Sequence, residues 1–374
     1  MADATVRTFY KVFKYRIYPT KDQVAIFETW LGLCCELYNA ALEERREAWR
    51  LHGKNLSYQD QTDQLPEIKE IREDLKIVKA QVLQNVLKRV KHGYDKFFET
   101  LKRGEKAGLP RFKPRRRYNS FTLPQLYPHH VGKKHLFVYE KTGLVRIKIH
   151  RPLEGKPKTC TIKRTPRGHW YATVTCENVP GRLGKPTGNE VGIDVGIENF
   201  ATLSTGERIE NPRLYRKAEA RLALAKSKAD KNKSKKHRRE FSRLYEKVMN
   251  QRKDFQHKLS RRIVSENDFI AVEDLDVAEM QESGTKIGIS KSLTDASCGR
   301  FLDFVSYKAE EAGRAFVRVN PRGTSSTCFN CGKVKKKELS ERLHSCPCGY
   351  KAHRDVNAAK NILRAGRALQ GNES

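Results

Sequence analysis

No stretch of about 18 apolar residues occurs in this chain, which argues against a membrane-spanning helix. The first residues, MADATVRTFYKVFKYRIYP, hold no apolar signal core. No lipidation motif and no basic amphipathic anchor stands out. Repeats of roughly 20–50 residues are absent, so a solenoid or propeller is not expected. Acidic residues are scarce: 44 Asp and Glu face 75 Lys and Arg, a formal net charge of +31 over 374 residues. Such an excess repels itself in isolation and points to a polyanionic partner. A ribosome-associated or chromatin-packing protein could be as basic. A membrane-surface role has little support without an anchor. The expectation is a cytosolic protein whose nine cysteines are mostly reduced.

The length allows two or three domains. TFYKVFKYRIY at 8–18 reads as a strand ended by Pro19, with basic side chains interleaved. TKDQ at 20–23 fits a capping box, with Thr20 as N-cap and Gln23 at N3. Val24, Phe27, Leu31, Cys35, Tyr38 and Leu42 then recur at helical spacing, and a second helix is expected over 77–102. Residues 111–117 hold five Lys or Arg: Arg111, Lys113, Arg115, Arg116 and Arg117. With Phe112, Tyr118 and Phe121 nearby, this suits phosphate contacts plus base stacking, or else a solvated loop. Residues 134–178 read as hairpins turning near Thr142-Gly143 and at Pro166-Arg167-Gly168, with Ile162 beside Ala172. A Pro/Gly-rich linker, 179–190, follows. A long polar helical tract is expected over 212–266, and Lys235, Lys236, Arg238 and Arg239 in it make a phosphate-facing surface or a solvated face. Cys34, Cys35, Cys160, Cys176 and Cys298 read as core-filling residues.

Three acids stand apart. Asp194 lies in GIDVG, Glu273 ends the apolar run FIAVE, and Asp355 opens the helical pattern DVNAAKNIL. An acid at the end of a buried strand is costly unless paired or metal-bound. Three carboxylates on adjacent elements would bind two hard divalent cations, most naturally Mg²⁺. Two such ions about 4 Å apart serve phosphodiester hydrolysis. Asp274 points to the opposite face of its strand and Asp276 lies past its end, so neither joins the expected set.

Cys328-x-x-Cys331 and Cys346-x-Cys348, 14 residues apart, are expected to hold a structural tetrahedral Zn²⁺. The second pair is one residue short, and His344 is a possible substitute ligand. KVKKK, 333–337, would meet a nucleic-acid backbone or serve as a solubilising tip.

GIDVGIENFATLS, IAVEDLDV and HRDVNAAKNIL, in this order, resemble the three motifs of a RuvC-like nuclease of the RNase H fold. FKYRIYPTKDQ, GLPRFKPRRRYNSFTLP and NPRGTSSTCFNCG sharpen the resemblance to the transposon-associated TnpB family, over about Phe9 to Gly366. The resemblance implies an RNA-guided DNA endonuclease whose guide RNA comes from its own transposon end and whose target is double-stranded DNA beside a short flanking motif. Asp194, Glu273 and Asp355 would be its catalytic acids, Asp194 bridging both metals. The family often has an acid where His353 stands, a change that leaves the three acids in place.

The implied fold is an α+β multidomain chain. A β-barrel-like wedge domain spans 1–19 and 104–180, a helical recognition domain 20–103, and a linker 181–190. A RuvC-like domain spans 191–323 and 351–368, with a zinc-ribbon insert at 324–350 and a tail at 369–374. The location would be prokaryotic cytoplasm, nucleoid-associated when on DNA. A guided repressor without cleavage and a small type V CRISPR effector share these motifs. A strand-transferring transposase has less support, since no HUH-type His pair with a partner tyrosine is evident.

Overall fold

The structure is a computed structural model that describes residues 8–232, 234–274, 298–335 and 341–371. Asp276 and the Lys336-Lys337 end of the KVKKK tip lie outside the described residues. The chain divides into two units, 1–180 and 181–374.

In the first unit β1 (Thr8–Tyr18) stops before Pro19, and α1 (Lys21–His52) begins with the Thr20/Gln23 capping box. The Gln23 amide also donates to the Thr142 and Leu144 carbonyls at 2.8 and 3.1 Å. Short helices α2 (Tyr58–Asp63) and α3 (Leu65–Ile71) precede α4 (Ala80–Lys102). Five strands follow: β2 (Ser120–Leu123), β3 (His135–Tyr139), β4 (Gly143–Lys148), β5 (Lys156–Arg164) and β6 (Trp170–Pro180). The sheet order is β2-β5-β6-β1-β4-β3, antiparallel throughout, with Ile162 opposite Ala172. It is an open sheet with β2 and β3 at its edges, where a barrel-like closure was expected. Phe13, Tyr15 and Ile17 of β1 alternate inward and join Phe27, Trp30 and Leu31 of α1 and Val86 and Val90 of α4 in one cluster. The helices thus bury the inner face that closure would otherwise have hidden.

The second unit begins with β7 (Glu190–Val195), β8 (Asn199–Leu203) and β9 (Arg208–Glu210). The expected single helical tract is two helices, α5 (Leu214–Asn232) and α6 (Lys235–Glu266). Ser234 caps α6 by accepting the His237 N–H at 3.2 Å. Then come β10 (Phe269–Glu273), α7 (Cys298–Ala312), β11 (Ala315–Val319), the hairpin β12 (Leu343–Ser345) and β13 (Lys351–His353), and α8 (Arg354–Gly371). The sheet order is β11-β10-β7-β8-β9: the first three are parallel, the last three antiparallel.

β10 is apolar on both faces because both are covered. Ile270 and Val272 pack with Leu259 and Ile263 of α6 and Phe301 of α7, whereas Phe269 and Ala271 pack with Ile362 of α8. α8 lies very close to β7: a Cβ at Gly192 would fall 2.1 Å from the Ala359 carbonyl oxygen. Only glycine fits there. All five cysteines expected in the core are buried.

Candidate functional site

Strand parity aims two of the acids. Side chains two residues apart share a face. Asp194 therefore projects on the side of Gly192, and Glu273 on the side of Ala271 and Phe269, which is the face that α8 covers. The parallel register pairs Val272 with Ile193, so Glu273 and Asp194 are the next residues along neighbouring strands. Asp355 sits in the first turn of α8.

The charges of the other two acids reach Asp194. Burial pushes the Asp194 carboxyl well above its usual range; Glu273 and Asp355 push it further, and Arg354 opposes them. Burial also raises Glu273, opposed by the Thr324 hydroxyl, which donates to its Oε1 at 2.5 Å. Asp355 is partly exposed, and its backbone N–H donates to His353 Nδ1 at 3.3 Å. His353 thus supports the start of α8. Its Nδ1 lies 3.7 Å from the Asp355 carboxylate. Asp274 is exposed, with Arg318 at 3.5 Å. Partly buried carboxylates that act on one another offer hard oxygen donors, and a divalent cation would relieve their repulsion.

The four cysteines form a second cluster. Their sulfurs all lie within 4.8 Å of one another, with Cys328–Cys348 at 3.8 Å and Cys331–Cys346 at 3.5 Å. Thiolates around a tetrahedral zinc sit roughly 3.8 Å apart, given Zn–S bonds of about 2.3 Å. A glycine at positive φ follows each knuckle, Gly332 at 74° and Gly349 at 86°. Gly332 N–H closes on the Cys328 carbonyl, four residues back, and Gly349 N–H on the Cys346 carbonyl, three back, both at 3.0 Å. The shorter spacing is thus a tighter turn that still delivers both sulfurs. The Tyr350 N–H and the Asn330 amide pull the Cys348 thiol down to about 6. His344 is buried against Tyr350 and is not part of the cluster.

The structure divides the basic residues. Lys235, Lys236, Arg238 and Arg239 are all exposed on α6. Arg111, Arg116 and Arg117 are exposed too. Lys113 instead lies half-buried with its ammonium 4.1 Å from the Tyr38 ring, and Arg115 binds the Glu28 side chain and carbonyl on α1. Tyr118 and Phe121 are 3% and 0% exposed, which corrects their expected part in base stacking. Phe121 shares the inward face of β2 with Leu123. Phe112 is at the surface under Arg46.

One surface escaped the sequence reading. On the outward face of the first sheet, Lys14 and Arg16 lie 4.1 and 5.2 Å from the Tyr171 ring, and Arg146 lies 5.7 Å from Tyr18. Alternation of cations with core residues in TFYKVFKYRIY was its signal.

Residues 174–284 match a family described as a probable transposase, 299–362 a Cas12f1-like TNB domain, and 9–54 a helix-turn-helix domain. The last segment is most of β1, all of the single long helix α1 and the two residues after it. A Streptomyces pristinaespiralis protein named "Putative RNA-guided DNA endonuclease" is 34% identical over 370 residues, covering 96% of this chain and 90% of its own. The chain belongs to the TnpB family. Escherichia coli K12 InsQ, which carries the same description, is 30% identical, covering 96% of this chain and 93% of its own. A solved Cas12f1–sgRNA–target DNA complex shares the fold, with TM-score 0.57 at 15% identity over 95% of this chain and 98% of that one. Among the described residues of this TnpB chain, no helix is long and apolar enough to cross a membrane.

Proposed function

We propose that this TnpB protein is an RNA-guided endonuclease that hydrolyses double-stranded DNA beside a short flanking motif. Its guide would be an RNA from its own transposon end. The observation that carries the reading is that Asp194 and Glu273 stand next to each other on neighbouring parallel strands, on the face that α8 covers, while Asp355 lies in the first turn of α8 and acts on the Asp194 carboxyl. Near-full-length similarity to RNA-guided endonucleases supports it. The order of the second sheet fits an RNase H-like, RuvC-type domain, with residues 324–350 inserted as a zinc ribbon.

Asp194, Glu273 and Asp355 would hold Mg²⁺, and four thiolates would hold a structural Zn²⁺ with no position open to water. When bound, paired divalent ions activate water and stabilise both the entering and leaving oxygens of the scissile phosphate. Burial restricts the Asp194 and Glu273 side chains, which would lessen the reorganisation that ion binding requires. Base pairing with the guide chooses the target, while the protein supplies backbone contacts and reads the flanking motif.

The test is plasmid cleavage by the purified protein with its copurified RNA and Mg²⁺. Cleavage beside a fixed motif, at sites complementary to that RNA, is expected. Normal target binding without cleavage would defeat the nuclease reading and leave a guided repressor. Sequencing the RNA separates a transposon end from a CRISPR array.

The nucleic-acid contacts are tested separately. Arg116→Ala and Arg117→Ala are each expected to lower the salt-dependence slope of guide RNA binding by about one, with little change in melting temperature. Arg115→Ala should do the reverse, lowering the melting temperature through lost packing on α1 while keeping the slope. Equal slopes for all three would remove 116–117 from the phosphate contacts.

A further inference from the structure

Thr324 is only 8% exposed, yet its hydroxyl has two possible acceptors. Oγ1 lies 2.5 Å from Glu273 Oε1 and 3.1 Å from the Pro321 carbonyl oxygen. A hydroxyl carries one proton, and the nearer, charge-bearing carboxylate takes it. That bond occupies one oxygen of Glu273 and leaves the other for a different ligand.

The loop that presents Thr324 is itself held by α8. Asn361 donates its amide to the carbonyls of Thr324 and Thr327, at 2.9 and 2.7 Å. Asn357 donates to the Thr327 carbonyl at 2.8 Å and accepts the Phe329 N–H at 3.0 Å. Both asparagines are buried, one turn apart on the helix whose first turn carries Asp355. A single buried network therefore connects Glu273 on a strand with the helix that bears Asp355. A carboxylate that must hold a cation needs such restraint, because free rotation would spread its oxygens over many positions.

We propose that Thr324 is a positioning residue of the nuclease centre: its hydroxyl fixes the Glu273 carboxylate for metal binding, and Asn357 and Asn361 fix Thr324 relative to Asp355. In this role Thr324 would act through Glu273 and not by its own contact with phosphate or metal. The inference rests on Glu273 being a metal-holding acid.

The decisive comparison is Thr324→Val, similar in shape but unable to donate, against Thr324→Ser, which keeps the hydroxyl. Thr324→Val should retain its zinc, its copurified RNA and its melting temperature. Its half-saturating Mg²⁺ for cleavage should rise about 10–100-fold. Mn²⁺ binding to the nucleic-acid-free protein, followed by water proton relaxation, should weaken by a similar factor. Thr324→Ser should restore both. Should valine disturb the loop, Thr324→Ala is expected to give the same two shifts. Unchanged Mg²⁺ and Mn²⁺ dependence in the soluble variant lacking the hydroxyl overturns the proposal, as does a serine variant as defective as valine. Glu273→Gln, measured in parallel, separates the two layers. If Glu273→Gln cuts normally, the assignment of the centre itself falls. If it is inactive while Thr324→Val cuts at ordinary Mg²⁺, only the positioning role falls.

Discussion

Asp194→Asn lowers the rate of guided plasmid cleavage by at least about 10³-fold, roughly 4 kcal/mol of transition-state stabilisation, while RNA copurification and target binding persist. That is the expected result, because Asp194 lies deepest of the three acids and has both others acting on its carboxyl. The asparagine keeps the shape and removes the charge. Single-turnover cleavage, with binding followed on the same preparation, checks it. Cleavage near the wild-type rate would remove Asp194 from the centre.

The same substitution carries a stability signature of opposite sign. The folded state raises the Asp194 pKa above its ordinary 3.8. The folded chain then keeps a proton that the unfolded chain releases. The stability this group contributes is complete below the unfolded value and is lost as pH rises toward the folded one. Near pH 7.5, without Mg²⁺, the wild-type protein therefore carries a cost that Asp194→Asn lacks. The variant is expected to melt a few degrees higher, with the gap narrowing as pH falls toward 4. Saturating Mg²⁺ should also narrow it by stabilising only the wild type. These melts belong in Mg²⁺-free buffer without chelator, since a chelator would strip the cysteine cluster as well.

The placement of Asp194 and Glu273 on the face that α8 covers was legible in the sequence for a definable reason. GIDVG places a carboxylate two residues after a glycine, and strand parity carries both to the same face. FIAVE ends an apolar run in an acid, which few structural roles tolerate. The capping box at Thr20 and Gln23 was equally local, and local rules suffice for it. What the sequence hid depends on distant partners. A run such as RFKPRRR shows five cations but not which of them pack inward. Lys113 lies over Tyr38 and Arg115 binds Glu28, contacts that span more than 70 positions. Thr324 was hidden likewise, since its partner Glu273 lies 51 residues away. The open sheet was also beyond reach, because periodicity fixes which face of a strand is buried but not whether helices or further strands bury it.

Cys328→Ser tests the second cluster and should be nearly as damaging as loss of an acid, by another route. The wild-type protein is expected to hold one zinc per chain, and the variant close to none. Removing a thiolate from a four-sulfur site forfeits much of a metal-binding free energy on the order of 10 kcal/mol, which is also folding energy for the ribbon. The ribbon begins where Asn357 and Asn361 grip Thr327 and Phe329, so its unfolding also frees the loop that carries Thr324. Cleavage should fall by more than about 100-fold, with guide RNA retained if the first unit supplies its main contacts. Cys348→Ser and Cys346→Ser should behave alike despite the short knuckle, because the three-residue closure at Gly349 brings both sulfurs into the cluster. His344→Ala should keep its zinc, since four sulfurs would suffice for a tetrahedral site. Zinc lost from the histidine variant but kept in either knuckle variant would show that the tighter turn delivers one sulfur and that the ring replaces the other.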